Sequence, residues 1–173
     1  MKTLSLHHWW KYEVLKWNWW LSVALTFVPL YIWWKIVDKK RLMEIVAYGF
    51  FINISSSFLD VVGSEFVLWD YPIRVIPNLP RLLPIDFTVI PVVYMLIYQL
   101  FPKWKGFLIA NTVVAAVFSF IAEPLLVWMK LYILITWKYY FSFPIYIAMA
   151  AVGKLMVNVF KSAQKKALDK DEE

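Results

Sequence analysis

The chain has no cysteine in its 173 residues. That excludes a disulfide framework, a thiolate nucleophile and a Cys-ligated metal or cluster, and it leaves the redox compartment unread. Charge is scarce as well. Only 17% of the residues are Asp, Glu, Lys or Arg, against about 25% in a soluble domain. The two histidines, His7 and His8, are adjacent. Consecutive helix positions diverge by about 100° and no carboxylate follows three or four residues later, so this pair lacks the spacing of a metal site. No complete catalytic or transport motif is present, and nothing calls for a metal or cofactor. A secretory signal is missing too. Met1 to Asn18 interleaves Trp9, Trp10, Tyr12 and Trp17 with Lys2, Lys11 and Lys16, where a signal needs an apolar run and a small-residue cleavage site. That composition predicts an interfacial helix over residues 1–18.

What is abundant is apolar surface: 62% hydrophobic, 20% aromatic, mean hydropathy +0.61. The bilayer is the solvent this composition suits. The fold class expected is all-α, a polytopic membrane helical bundle of about five transmembrane helices. They are placed at 19–37, 42–67, 85–101, 106–129 and 141–160, in a single membrane domain over 19–160. A charged cytoplasmic tail is expected at 161–173. The first span would be about 28 Å of helix, close to a hydrocarbon core of about 30 Å. Trp19 and Trp20 at one end, with Trp33 and Trp34 at the other, suit the two aromatic belts. Net charge is +6 and the pI about 9.4. The cations lie between apolar runs rather than along one stripe, so membrane lipid is the expected partner and nucleic acid is not. Self-association into a homo-oligomer stays open.

Counting Lys and Arg by side tests the topology. The first turn, the third-to-fourth turn and the tail hold ten: Lys35, Lys39, Lys40, Arg41, Lys103, Lys105, Lys161, Lys165, Lys166 and Lys170. The other side holds seven: Lys2, Lys11, Lys16, Arg74, Arg81, Lys130 and Lys138. The excess places the N-terminus outside and the C-terminus in the cytoplasm.

Polar residues in the apolar segments recur at helical spacing. Asn53, Ser56, Ser57 and Asp60 share one face of the second span; Asn111, Ser119 and Glu123 line the fourth; Lys154 and Asn158 follow Tyr146 on the fifth. Lipid would leave such groups unsatisfied, so these faces turn inward, with Gly49, Gly63 and Ser64 allowing close helix approach. Between the second and third spans lies LWDYPIRVIPNLPRLLP, whose Pro72, Pro77, Pro80 and Pro84 exclude a regular helix. Its backbone needs partners, so it sits at the interface or dips into the bundle. A rise of 1.5 Å per residue places Asp60 about 28 Å, Glu123 about 26 Å and Asp86 about 22 Å from the cytoplasmic boundary. Lys154 and Asn111 come out at roughly 8 to 9 Å, so Lys154 is not the partner of Asp60. Arg74 and Arg81 on the connector, or Lys130 and Lys138, are the expected counter-charges. No transporter-type internal repeat is visible, and an odd number of spans argues against two matched halves.

An acidic layer beneath an aromatic connector has several readings. It holds irregular backbone in place, or it binds a lipid or small ligand beside Trp69, Tyr71 and Trp137. Alternatively it works as acid and base on a lipid or isoprenoid, since clustered carboxylates raise one another's pKa. A proton or ion pathway through an oligomer would add the inner layer of Asn111, Lys154 and Asn158.

The blocks FVLWDYPIRVIPNLPRLLPIDFTVIPVVYMLIYQLFP and FIAEPLLVWMKLYILITWKYYFS resemble a family of small uncharacterised multispanning membrane proteins of endospore-forming Gram-positive bacteria. The resemblance covers roughly Asp60 to Pro144 and is carried by Trp69, Tyr71, Pro77, Asp86, Pro91, Glu123, Trp137 and Ser142. Members usually have a His shortly before the acid of the third span, where this chain has Leu82, Leu83 and Pro84. The resemblance implies an envelope protein. A fainter likeness to membrane lycopene cyclase domains lies in Asp60, the LWDYP run and the LPID run; those enzymes carry paired glutamates where this chain has Asp86 alone.

Overall fold

The computed structural model describes residues 17–71 and 85–171. The interfacial helix expected over 1–18 lies almost wholly outside them, as do Arg74, Arg81 and the prolines of the connector. Among the described residues the regular structure is helical except for one short ladder: α1 (Trp17–Ile36), a 3-10 turn (Lys39–Arg41), α2 (Leu42–Glu65), β1 (Trp69–Asp70), α3 (Ile85–Leu100), α4 (Trp104–Trp128), β2 (Ile133–Leu134) and α5 (Tyr139–Asp171). Three segments are long and apolar enough to cross a membrane: Lys39–Glu65, Trp104–Trp128 and Tyr139–Lys170. Val23–Ile36 and Ile85–Leu100 are apolar but shorter. The last helix continues past residue 160 to Asp171, exposed from Val159 to Lys170, so the charged tail is helical.

From Ile90 to Tyr98 helix α3 is apolar on every side, and this stretch occupies the middle of the bundle for that reason. Ile90, Pro91, Val92, Tyr94, Met95, Ile97 and Tyr98 are all buried. It packs on α1, α2 and α4, while α5 closes against α2 and α4. Gly49 lets α2 approach α3, because a Cβ there would run into the Met95 thioether. Ile45, Tyr48 and Ile52 of α2, Phe107 of α4 and Met149 and Ala150 of α5 complete this core. The outward faces stay apolar: Phe27, Tyr31, Phe50, Ile54, Phe58, Val113, Phe120 and Ile121 are exposed.

Two helices contain a widened, π-type turn, and each lies just ahead of a proline. Ile85–Val89 precedes Pro91, and Phe118–Ala122 precedes Pro124. Proline has no N–H to give and its ring clashes with the carbonyl four residues back. Shifting to bonds five residues apart, as from the Glu123 amide to the Phe118 carbonyl, relieves that clash. Asp86 lies inside the first widened turn and Glu123 directly follows the second.

The architecture also contains a repeat. The unit α2–β1–α3 is followed by α4–β2–α5 in the same order. Both α2 and α4 end in the same cap: the Leu68 amide bonds the Gly63 carbonyl and Val67 that of Ser64, while Leu131 bonds Leu126 and Lys130 bonds Val127. This is a Schellman closure, with Val67 (φ 56°) and Lys130 (φ 58°) in the left-handed position. The strands that follow pair antiparallel, Trp69 with Leu134 and Asp70 with Ile133. One helix buries Tyr48, Ile52, Ser56 and Asp60 and the other buries Asn111, Ala115, Ser119 and Glu123, residue for residue at the same spacing. The expectation that matched halves were absent is therefore corrected. The side chains differ too much for sequence self-similarity, and α1, standing before both units, accounts for the odd helix count among the described residues.

Candidate functional site

The C-terminal ends of α2 and α4 and the N-terminal ends of α3 and α5 surround a cavity of about 310 Å³. Its apolar wall includes Leu59, Val62, Ile85, Ile90, Leu126 and Met149. Its polar wall carries Asp60, Asp86 and Glu123, and five aromatic residues line it as well: Trp69, Tyr71, Tyr132, Trp137 and Tyr146. Depth counting along separate helices thus brought the three acids to one layer, and the tertiary structure puts them on one cavity.

Asp60 projects from the buried column of α2. Its Oδ1 accepts from the Trp69 indole N–H at 3.0 Å and from the Tyr71 hydroxyl at 2.5 Å. The chain can double back to deliver these donors because of Gly63, one turn past Asp60. Any Cβ at that position would overlap the Trp69 ring. Glu123 is held from α5: Ser142 Oγ donates to its Oε2 at 3.1 Å and the Tyr146 hydroxyl to its Oε1 at 3.2 Å. The Trp137 indole N–H donates to Ser142 Oγ at 2.9 Å, so an indole backs each of these two acids. Asp86 is fixed through its backbone, whose carbonyl accepts from Ser56 Oγ at 3.3 Å.

The strap over the cavity is tied at one atom. The Leu68 carbonyl accepts the amides of Ile135, Thr136 and Trp137 at 3.0, 3.1 and 3.2 Å, which seats Trp137 beside Trp69. The two indoles meet edge to face with centroids 5.1 Å apart, and Tyr71 stacks on Tyr132 at 5.3 Å. Burial, reinforced by the charge of Asp60, pushes the Tyr71 phenol far above its ordinary value. Tyr132 is raised by burial and then by Glu123, Asp60 and Asp86. Both phenols therefore stay protonated, and Tyr71 remains a donor to Asp60.

Of the counter-charges expected for this layer, two can be located. Lys130 and Lys138 are exposed, and Arg74 and Arg81 lie outside the described residues. Indole, phenol and hydroxyl donors stand beside Asp60 and Glu123. Tyr132 is the lining residue that the polar pattern misses, since an apolar-looking LYIL run gives it no polar neighbours. Its signal is positional: it follows Glu123 by the interval at which Trp69 follows Asp60. Asn53 is half-buried and accepts from Ser56 through its carbonyl, outside the cavity wall.

The inner layer does not form a unit. Lys154 is 3% exposed, low enough to need a complete set of partners. Its ammonium donates to the carbonyls of Phe101 at 3.2 Å and Pro102 at 2.9 Å and lies 4.0 Å from the centroid of the Phe107 ring. It caps the C-terminus of α3, where the helix dipole favours a cation. Asn111, fully buried, donates to the Phe107 carbonyl within its own helix, and Asn158 accepts from Ser162 through its backbone. Nearby, Glu44 accepts from Arg41 at 3.0 Å and Lys161 at 3.1 Å, tying the start of α2 to the end of α5.

Among the described residues no group of three or more His, Asp or Glu is arranged to hold a metal ion. The fold and site define a class, an all-α bundle with an acidic, aromatic cavity at one end. Searches against protein-family models, curated proteins and solved structures found no match.

Proposed function

We propose that this is an integral membrane protein of five spans whose cavity binds a small ligand or the headgroup of a lipid. The carrying observation is the convergence of Asp60, Asp86 and Glu123 with five aromatic residues on one space of about 310 Å³. That is within the size range of small-molecule sites, about 300 to 1,000 Å³. Helices held together only by interhelical hydrogen bonds need no such space. In this reading the N-terminus is outside, the C-terminus is cytoplasmic, and the cavity opens near the outer leaflet. The resemblance to small envelope proteins of endospore-formers supports the membrane assignment.

A second reading, acid–base chemistry on a bound lipid or isoprenoid, draws support from the same three carboxylates beside apolar walls. The ion-pathway reading draws less support, because the Lys154 ammonium is engaged by two carbonyls and an aromatic ring.

Native mass spectrometry of gently extracted protein tests the binding reading. A retained small molecule or lipid is expected, and it should be lost in Glu123→Gln and Asp86→Asn variants of unchanged helicity. An empty wild-type protein would sink the reading. Chemical conversion of the retained molecule, abolished by Glu123→Gln, would move the assignment to an enzyme.

A further inference from the structure

We infer that the cavity takes a methylated ammonium group, with Glu123 as its counter-charge and the indoles and phenols around it as its wall. The inference rests on the cavity being a binding site and adds the chemical class of its occupant. It starts from Glu123. Among the described residues both of its carboxylate oxygens are met by neutral donors, Ser142 and Tyr146. Neutral hydrogen bonds orient a buried carboxylate but bring no opposite charge, so a cation entering beside it gains the full attraction of a low-dielectric site.

The aromatic wall then selects the type of cation. Trp69, Tyr71, Tyr132, Trp137 and Tyr146 line the same cavity. Aromatic rings attract cations through the negative charge of their faces, and cages of such rings are the usual receptors for quaternary ammonium groups. A small metal ion is a poor fit, since the described acids are not grouped to coordinate one. Much of the remaining wall is Leu59, Val62, Ile85, Ile90, Leu126 and Met149, which accept nothing but pack well against methyl groups. The inner end of the same bundle shows the chemistry at work on a tethered cation: the Lys154 ammonium lies 4.0 Å from the Phe107 centroid and 5.2 Å from that of Trp104. A methylated ammonium could arrive free, as in choline, or as the headgroup of phosphatidylcholine.

The experiment uses the full chain in nanodiscs of phosphatidylglycerol alone, titrated calorimetrically with choline and with 3,3-dimethylbutan-1-ol, its neutral isostere. Choline is expected to bind at least tenfold more tightly than the isostere. Glu123→Gln should weaken choline at least tenfold, and Trp137→Leu should weaken it while Trp137→Phe largely preserves it. Should a variant not fold, the comparison of choline with its isostere on the unaltered chain still decides. In nanodiscs mixing phosphatidylcholine with phosphatidylglycerol, selective retention of phosphatidylcholine and loss of choline binding assign the lipid headgroup as the source. Unchanged choline binding there assigns the free ligand. If the isostere binds as tightly as choline, or if phosphatidylglycerol is retained and choline does not displace it, the ammonium assignment is overturned while the cavity remains a binding site. No bound species in any arm overturns both.

Discussion

Replacing Gly63 by Ala tests the geometry of the acidic site through a single methyl group. By helix propensity alone the change should stabilise α2 by about 1 kcal/mol. The fold dictates the opposite sign. The added Cβ would overlap the Trp69 indole, a rigid ring pinned by its bond to Asp60 and its contact with Trp137. Forcing a methyl into a filled space costs about 1 to 3 kcal/mol. Displacing the indole also breaks a hydrogen bond to a charged group, about 1.5 to 3 kcal/mol. The expected net loss is about 1.5 to 5 kcal/mol once the helix gain is set against these costs. Reversible unfolding in mixed micelles, followed by far-UV circular dichroism, measures it. Gly49→Ala is the internal control: its Cβ meets the flexible Met95 thioether, which can swing aside, so the change should stay within about 1 kcal/mol. Because the loss runs through the Trp69–Asp60 bond, Gly63→Ala and Asp60→Asn should be strongly non-additive in a double-mutant cycle. A Gly63→Ala protein as stable as wild type, or strict additivity with Asp60→Asn, refutes the reasoning.

Four further outcomes follow from the same structure. Lys154→Ala should cost about 3 to 5 kcal/mol, because it frees two carbonyls and leaves a cavity where the stem was buried, whereas Lys154→Met, which frees the same carbonyls but keeps the stem, should cost about 1 to 3 kcal/mol; both are read in the same unfolding assay. Val67→Gly should stabilise by about 0.5 to 1 kcal/mol, since a β-branched residue at φ 56° is strained by about 1 to 2 kcal/mol and glycine returns part of that as unfolded-state entropy; destabilisation would show that the exposed valine packs on something essential. Ser142→Ala should cost about 1 to 3 kcal/mol because the Trp137 indole and Glu123 both lose a partner, with the Trp137 loss visible in near-UV circular dichroism. Tyr71 and Tyr132 are raised from an ordinary 10.0, so their contribution is complete below that pH and is lost as pH rises above it; ultraviolet titration should find both phenols silent until the protein unfolds in alkali.

Much of the helical layout could be read along the chain because apolar length is a local property. Runs such as LTFVPLYIWW and IPVVYMLIYQL announce helices regardless of what they pack against, and their observed ends lie close to the expected ones. The inward faces were readable for a similar reason: Asn111, Ala115, Ser119 and Glu123 recur every four residues, and all four are buried. The two strands were not readable, since two residues of ladder leave no period to detect. Nor was the partner of Glu123, because Ser142 and Tyr146 reach it from another helix. The repeat escaped for a third reason. Helix–cap–strand geometry is preserved while Tyr48 matches Asn111 and Trp69 matches Tyr132, pairs with little chemistry in common.

By itself the sequence determined the helical class, the apolar length of each segment and the axial position of each carboxylate within its helix, because composition and a rise of 1.5 Å per residue depend on nothing outside the segment. Only the tertiary structure decided that Asp60, Asp86 and Glu123 share a cavity with Trp69, Trp137 and three tyrosines. It also decided that Lys154 serves the end of α3 rather than the acids. Equal depth fixes one coordinate of a side chain. The other two come from helix packing and from the caps at Val67 and Lys130, which turn two distant strands into one strap.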